Sequence, residues 1–179
     1  MPNLAYFLRT LARETRGAEI AEAAAVLPLM FLILLGIFWF GQAFSISGAI
    51  TRAAEDGARA AAAPYCVTCT SVNSPAANAV TAVNTALLAS RLDPTKIQAL
   101  SSPPTVLACQ SGATGCATVA GSNVCVQAPV QISSTNGGSF VCGVSVTFQY
   151  PFQFWLPFTS LNKQRILLKA SARARMENQ

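Results

Sequence analysis

The N-terminal quarter of the chain contains a long apolar run. No charged residue occurs between Glu22 and Arg52, and residues 23–44 are nearly all apolar. As an α-helix, which rises about 1.5 Å per residue, this run would extend about 33 Å. That length matches the hydrocarbon core of a bilayer, roughly 30 Å thick. The pattern predicts a membrane span over residues 23–44, within a helix over residues 18–63 that ends before Pro64.

The middle of the chain has helical periodicity. Ser74 and Pro75 suit the N-cap and first position of a helix, and Asp93 with Pro94 suits its end. Apolar residues recur between them at helical spacing, at Ala76, Val80, Val83 and Leu87. The pattern predicts a second helix with one apolar face, which we expect to pack on a sheet.

The last third alternates between apolar and polar positions. Alternation over residues 124–132, 140–150 and 168–175 predicts three strands, the first two joined as a hairpin by the turn at 133–139. Residues 105–109 are a candidate fourth strand. A long transmembrane helix, a second helix and a small antiparallel sheet predict an α+β fold.

Composition narrows the possible chemistry. The chain has no His, and its seven acidic residues do not form the paired carboxylates of a glycosidase. The net charge of +5 comes from scattered residues, so nucleic-acid binding is not expected. No second C-x-x-C or His pair completes a metal site. We therefore expect a non-enzymatic protein with no catalytic residues, metal, cofactor or small-molecule substrate.

Cysteines and flanking charges predict export. Six cysteines, an even number in a small chain, favour an oxidising compartment; they are Cys66, Cys69, Cys109, Cys116, Cys125 and Cys142. Three arginines precede the apolar run, at positions 9, 13 and 16. The positive-inside rule then places residues 1–17 in the cytoplasm and residues 64–179 in the periplasm or outside the cell, as a disulfide-linked α+β domain anchored in the inner membrane.

The pairing of the six cysteines is open, with one exception. The predicted hairpin places Cys125 near Thr147 and Cys142 near Val130. Cys125 and Cys142 would then lie on the order of 16 Å apart along the strands, beyond the roughly 7 Å that a disulfide spans between Cα atoms. A Cys125–Cys142 bond is therefore excluded. For the C-x-x-C of Cys66 and Cys69, a structural disulfide is favoured over a redox motif, because no parallel-sheet pattern follows.

A removable secretory signal is the alternative to a permanent anchor. Ala60–Ala63 resembles a small-residue cleavage site. The apolar run is longer than the 7–15 residues typical of signal peptides, which favours the anchor.

The start of the apolar helix resembles a known family. Residues 16–22 (RGAEIAE), followed by an apolar run with Pro28, resemble a type IV prepilin cleavage site. Together with the stretch Gly36–Gly41 they resemble the TadE-like pseudopilins of the tight-adherence (Tad or Flp) pilus. Residues 53–59 (AAEDGAR) and 168–177 (LKASARARME) resemble two further segments of that family.

The resemblance implies a pilin-like layout for the predicted α+β fold, and it implies roles for particular residues. A prepilin peptidase would cleave between Gly17 and Ala18, which removes residues 1–17 as a cytoplasmic leader. Glu22 would act in assembly by pairing with the new α-ammonium group of Ala18, on the same or a neighbouring subunit. The partners would be other pilin and pseudopilin subunits and the Tad machinery. Alternatively, Glu19 and Glu22 lie in the headgroup zone and favour the helix N-terminus through its dipole.

Three functions follow for comparison. The first is a minor pseudopilin, a TadE-like assembly component of a Tad pilus or a related secretion system. The second is a membrane-tethered periplasmic module for binding or cell adhesion. The third is an enzyme, for which a disulfide isomerase using Cys66 and Cys69 is the one concrete version.

Overall fold

The computed structural model describes residues 15–63, 74–109, 115–132, 141–153 and 165–176. Helix α1 covers Thr15–Ala62 and helix α2 covers Pro75–Ala89; a 3₁₀ turn follows at Pro94–Lys96. The strands are β1 (Cys125–Ile132), β2 (Val141–Gln153) and β3 (Arg165–Arg175). The chain divides into two compact units, Met1–Ala43 and Phe44–Gln179.

The hydrophobic core lies in the second unit. It is built from the C-terminal part of α1, one face of α2, and one face of the sheet. Phe148 of β2, Ile50 of α1 and Leu87 of α2 are the largest fully buried side chains in it. The C-terminal part of α1, helix α2 and the sheet therefore share one core, as expected for an α+β fold, in which helices pack on an antiparallel sheet.

Helix α2 begins where the sequence predicts. The Ser74 hydroxyl accepts a hydrogen bond from Ala77 N at 3.2 Å, with Pro75 at the first helical position. The predicted apolar face is buried: Ala76, Val80, Val83 and Leu87, joined by Ala79.

The end of α2 differs from the prediction. The helix stops at Ala89 rather than continuing to Asp93. Arg91 adopts a left-handed conformation with φ of 58°, and its N donates to Leu88 O while Leu92 N donates to Leu87 O. This pair of bonds forms a Schellman motif, which closes the helix without the usual glycine. Asp93 instead caps the 3₁₀ turn that follows.

The sheet is antiparallel with strand order β1-β2-β3. Cys125 pairs with Thr147, as predicted, and Cys142 pairs with Gln131 rather than the neighbouring Val130. The one-residue difference arises because the register shifts between Gln127 and Val130. Strand β2 then pairs with β3 without interruption, from Gly143 opposite Arg175 to Gln153 opposite Arg165.

The candidate fourth strand is not a strand. Residues 105–109 contribute a single bridge, Ala108 with Val130, to the outer side of β1. A second bridge joins Ala117 to Val126. The prediction of an α+β fold with a long apolar N-terminal helix, a second helix, a small antiparallel sheet and disulfides is confirmed.

Candidate functional site

The predicted cleavage junction lies inside the first turns of α1. Gly17 is helical and exposed, and a Cβ built on it meets no atom within 4 Å. A glycine inside a helix costs roughly 0.5–1 kcal/mol relative to alanine. Neither packing nor backbone conformation requires a glycine at position 17. The glycine is therefore compatible with a different role, such as giving a peptidase access to the peptide bond that the sequence predicts to be cleaved.

Glu22 lies one helical turn beyond Ala18, and its side chain is exposed. The neighbouring Ile20 is 72% exposed. The sequence has no Lys or Arg at residues 17–51, and within the described residues Glu22 forms no salt bridge. A carboxylate in hydrocarbon is costly unless it is paired. At this position it needs either a cation from another source or a location at the membrane interface.

The apolar part of α1, residues 23–44, is largely exposed, and Trp39 is the one buried side chain in it. Most of its large side chains are more than half exposed, including Leu32 at 67% and Ile37 at 66%. Of the helices that the structure describes, one is long and apolar enough to cross a membrane: Ile20–Ala62, with a mean hydropathy of 2.5 in its most apolar stretch. A helix that is apolar all round requires an apolar environment. A bilayer meets that requirement, whereas the protein's own core does not cover these side chains.

The aromatic side chains at the end of the apolar part differ in burial. Phe40 and Phe44 are 65% and 73% exposed, as expected for interfacial anchors. Trp39 is 9% exposed and makes an edge-to-face contact with Phe38, with ring centroids 5.5 Å apart. The exposed aromatic surface at this end of the apolar part is therefore formed by the phenylalanines.

The small residues of α1 pack within the second unit. Ala53, Ala54, Gly57 and Ala58 are buried, and all four belong to segment 53–59. A Cβ on Gly57 would lie 2.6 Å from Val83 Cγ2 on α2. The sequence places Gly57 among alanines, and small residues in such a stretch permit the close approach of another helix, from the chain's own domain or from another subunit. The small-residue face thus serves the domain's own packing.

The charged residues of the same segment point outward. Glu55 and Arg59 form an ion pair at 4.0 Å, with side chains 51% and 75% exposed. An exposed pair at i, i+4 contributes about 0.3–0.5 kcal/mol. Segment 53–59 therefore combines a buried face that fixes the fold with an exposed face that is open to solvent or partners.

Two disulfides tie the long connection before β1 to the sheet. Cys109 bonds to Cys142 with Cα atoms 5.5 Å apart, and Cys116 bonds to Cys125 with Cα atoms 4.8 Å apart. The Cys125–Cys142 bond that the register excludes is not formed. Cys66 and Cys69 lie outside the described residues, so the interpretation of their C-x-x-C stays a prediction.

Asp93 is the one described carboxylate with a clearly shifted pKa. Thr95 donates to it from its side chain at 2.7 Å and from its backbone N at 3.0 Å. These bonds, the side-chain bond first, lower the pKa of Asp93 below its ordinary value, and the nearby Lys96 adds to the effect. The backbone N of Asp93 also donates to the Tyr150 hydroxyl at 3.2 Å, which ties this turn to β2.

Comparison with known proteins finds a match for most of helix α1. The family model described as TadE-like protein matches residues 17–59, from the predicted junction to the end of the AAEDGAR segment. No curated protein and no solved structure matches the chain. The resemblance to TadE-like proteins, predicted from the residues around Gly17 and Glu22, is therefore confirmed over residues 17–59.

Proposed function

We propose that this protein is a minor pseudopilin, a non-enzymatic subunit that helps to build a Tad pilus or a related secretion system. Helix α1 anchors it in the inner membrane, with residues 1–17 in the cytoplasm and residues 64–179 exported. A prepilin peptidase cleaves it between Gly17 and Ala18. The TadE-like match over residues 17–59 supports association with Tad machinery and a membrane.

The observation that carries the proposal is the setting of Glu22. It is a carboxylate without a salt bridge in the described residues, followed by an exposed apolar helix. Cleavage at Gly17 would create an α-ammonium group on Ala18, one helical turn away. In a low-dielectric setting the two charges attract strongly, within one chain or between neighbouring subunits. A plain membrane anchor, as in a tethered binding or adhesion module, does not require this arrangement.

Cleavage is tested by the intact mass and N-terminal sequence of protein extracted from membranes. We expect the mature chain to begin at Ala18 in a host that has the peptidase. Gly17→Leu should block processing, because a bulky side chain stands at the junction, while the protein still inserts, because a Cβ at this position meets no atom within 4 Å. Gly41→Leu is the matched control, since that glycine is also helical and equally free of contacts. A mature chain that begins at Met1 or Pro2 refutes this part of the proposal.

The role of Glu22 is tested by Glu22→Ala. We expect this variant to insert and fold but to lose pilus assembly and co-purification with pilus components. Glu22→Asp, which keeps the charge, should restore part of the activity. Glu55→Ala is the control, because it removes an exposed carboxylate from the same helix outside the apolar part. Normal piliation in Glu22→Ala, or an equal defect in Glu55→Ala, would show that the carboxylate has no specific role in assembly.

A further inference from the structure

The two edges of the sheet differ in what covers them. On the outer side of β1, Gln131 N donates to Leu107 O at 2.7 Å and Ala117 N donates to Val126 O at 2.8 Å. Strand β3 forms the opposite edge, and across the described ranges no backbone segment bonds to its outer side. An exposed edge of this kind is a template for an added strand.

The covering of β1 is covalently fixed. The bonds Cys109–Cys142 and Cys116–Cys125 hold the stretches that contain Leu107 and Ala117 against the sheet. A competing strand would have to displace segments tethered at two points. Strand β3 has 11 residues paired to β2. Of the two edges, that of β3 is therefore the one available to a partner.

The charge of β3 is one-sided. Its charged residues are all basic and all exposed, and they lie on one face of the strand, which they share with Leu167 and Ser171: Arg165, Lys169, Arg173 and Arg175. Their neighbours across β2 are uncharged: Gln153, Gln149, Ser145 and Gly143. In the part of the chain that the structure describes, the one ion pair joins Arg59 to Glu55. The cations of β3 thus have no acidic partner there.

This charge pattern selects the partner. A second copy that pairs through its own β3 would place basic side chains opposite or diagonal to one another, which is destabilising. Basic edge residues are also a known protection against such self-pairing. An added strand with acidic side chains on the same face as the basic residues of β3 would instead form an attractive charge pair at each of these positions.

We propose that the outer edge of β3 binds an extended acidic segment of a different protein by strand addition. The backbone of β3 supplies the hydrogen bonds, and Lys169 and Arg173 select acidic side chains at the centre of the edge. The proposal rests on the second unit alone and does not depend on the role of α1.

The test uses the full-length protein in detergent micelles and synthetic peptides as probes. The main probe is a peptide of alternating Glu and Thr, matched to the 11 residues of β3. One comparison peptide has Lys in place of Glu. Another has the acidic sequence with every second backbone amide methylated, which keeps the charge and removes hydrogen-bond donors. Binding is measured by fluorescence anisotropy of labelled peptides.

We expect the acidic peptide to bind at least about tenfold more tightly than either comparison peptide, with an affinity that falls as salt increases. The double variant Lys169→Glu, Arg173→Glu should weaken binding about tenfold, since each cross-strand charge pair is worth up to about fivefold and reversal adds repulsion. Arg52→Glu, Arg59→Glu changes the net charge equally on exposed positions of α1 and should bind as the wild type does.

Near-UV circular dichroism identifies variants that have lost the fold, and the comparison peptides on wild-type protein do not depend on any variant. Equal binding of the methylated peptide would show attraction without strand addition and overturn the proposal. So would equal binding of the basic peptide, or an equal loss in the α1 double variant.

Discussion

The close approach of α1 and α2 at Gly57 makes Gly57→Ala an informative perturbation. The new Cβ would lie 2.6 Å from Val83 Cγ2 and 3.3 Å from Ala79 O. Val83 is fully buried, and its β-branched side chain has few alternative rotamers. The new Cβ or Val83 Cγ2 therefore has to move, or helices α1 and α2 have to separate.

The magnitude follows from two opposing effects. Adding a methyl group to a well-packed core costs about 1–3 kcal/mol. Replacing glycine with alanine in a helix contributes about 1 kcal/mol of stability. Gly48→Ala on the same helix is the control, because a Cβ there meets no atom within 4 Å. The difference in unfolding free energy between the two variants should therefore equal the overpacking cost, about 1–3 kcal/mol.

The assay is thermal unfolding of the full chain in detergent micelles, followed by near-UV circular dichroism. For a chain of this size 1 kcal/mol corresponds to about 2–4 °C, so Gly57→Ala should melt roughly 2–12 °C below Gly48→Ala. Adding Val83→Ala should reduce the cost of Gly57→Ala, with a coupling of about 0.5–3 kcal/mol in a double-mutant cycle. Equal melting temperatures for the two glycine variants would refute the close approach, and an absent coupling would show that Val83 is not the obstacle.

Two further predictions concern the disulfides and acid stability. Non-reducing peptide mapping should recover Cys109–Cys142 and Cys116–Cys125 and no Cys125–Cys142 link. Replacing Cys109 and Cys142 with Ser should lower the free energy of unfolding by about 1 kcal/mol more than replacing Cys116 and Cys125, because the first disulfide closes a loop of 33 residues and the second a loop of 9. The pKa of Asp93 is lowered in the folded state, so its carboxylate stabilises the fold above the ordinary pKa of 3.8, and this contribution is lost as pH falls through the lower folded value. Asp93→Ala should remove that part of the acid dependence of the unfolding free energy; an unchanged pH profile would contradict the assignment.

Local signals determined the elements of the fold. Ser74 and Pro75 predict the start of α2 because capping uses only neighbouring atoms. Alternation predicts β2 and β3 because side chains on successive residues of a strand point to opposite faces. The apolar run predicts the exposed part of α1, since length and hydropathy suffice to identify a helix that can cross a bilayer. For the same reason the residues around Gly17 and Glu22 predicted the family match: the motif is contiguous in sequence.

Tertiary contacts decided the rest. The end of α2 at Ala89 depends on Arg91 in a left-handed conformation, which sequence propensity assigns to glycine. Polar residues that alternation places on the outer face, such as Gln127 and Thr147, are buried. Gln127 donates to Pro104 O and Thr147 lies 3.0 Å from the Ser171 hydroxyl, so each burial depends on a distant segment that supplies a hydrogen bond.

The sequence by itself determined which residues form the long apolar helix, the second helix and the strands, because those properties depend on neighbours along the chain. Only the tertiary structure decided that Gly57 lies against Val83 of α2, that the stretch around Ala108 makes one bridge instead of a strand, and that β3 is the edge to which no other described segment bonds. Each of these depends on which surfaces meet across long sequence separations, and hydrophobic pattern does not specify that pairing.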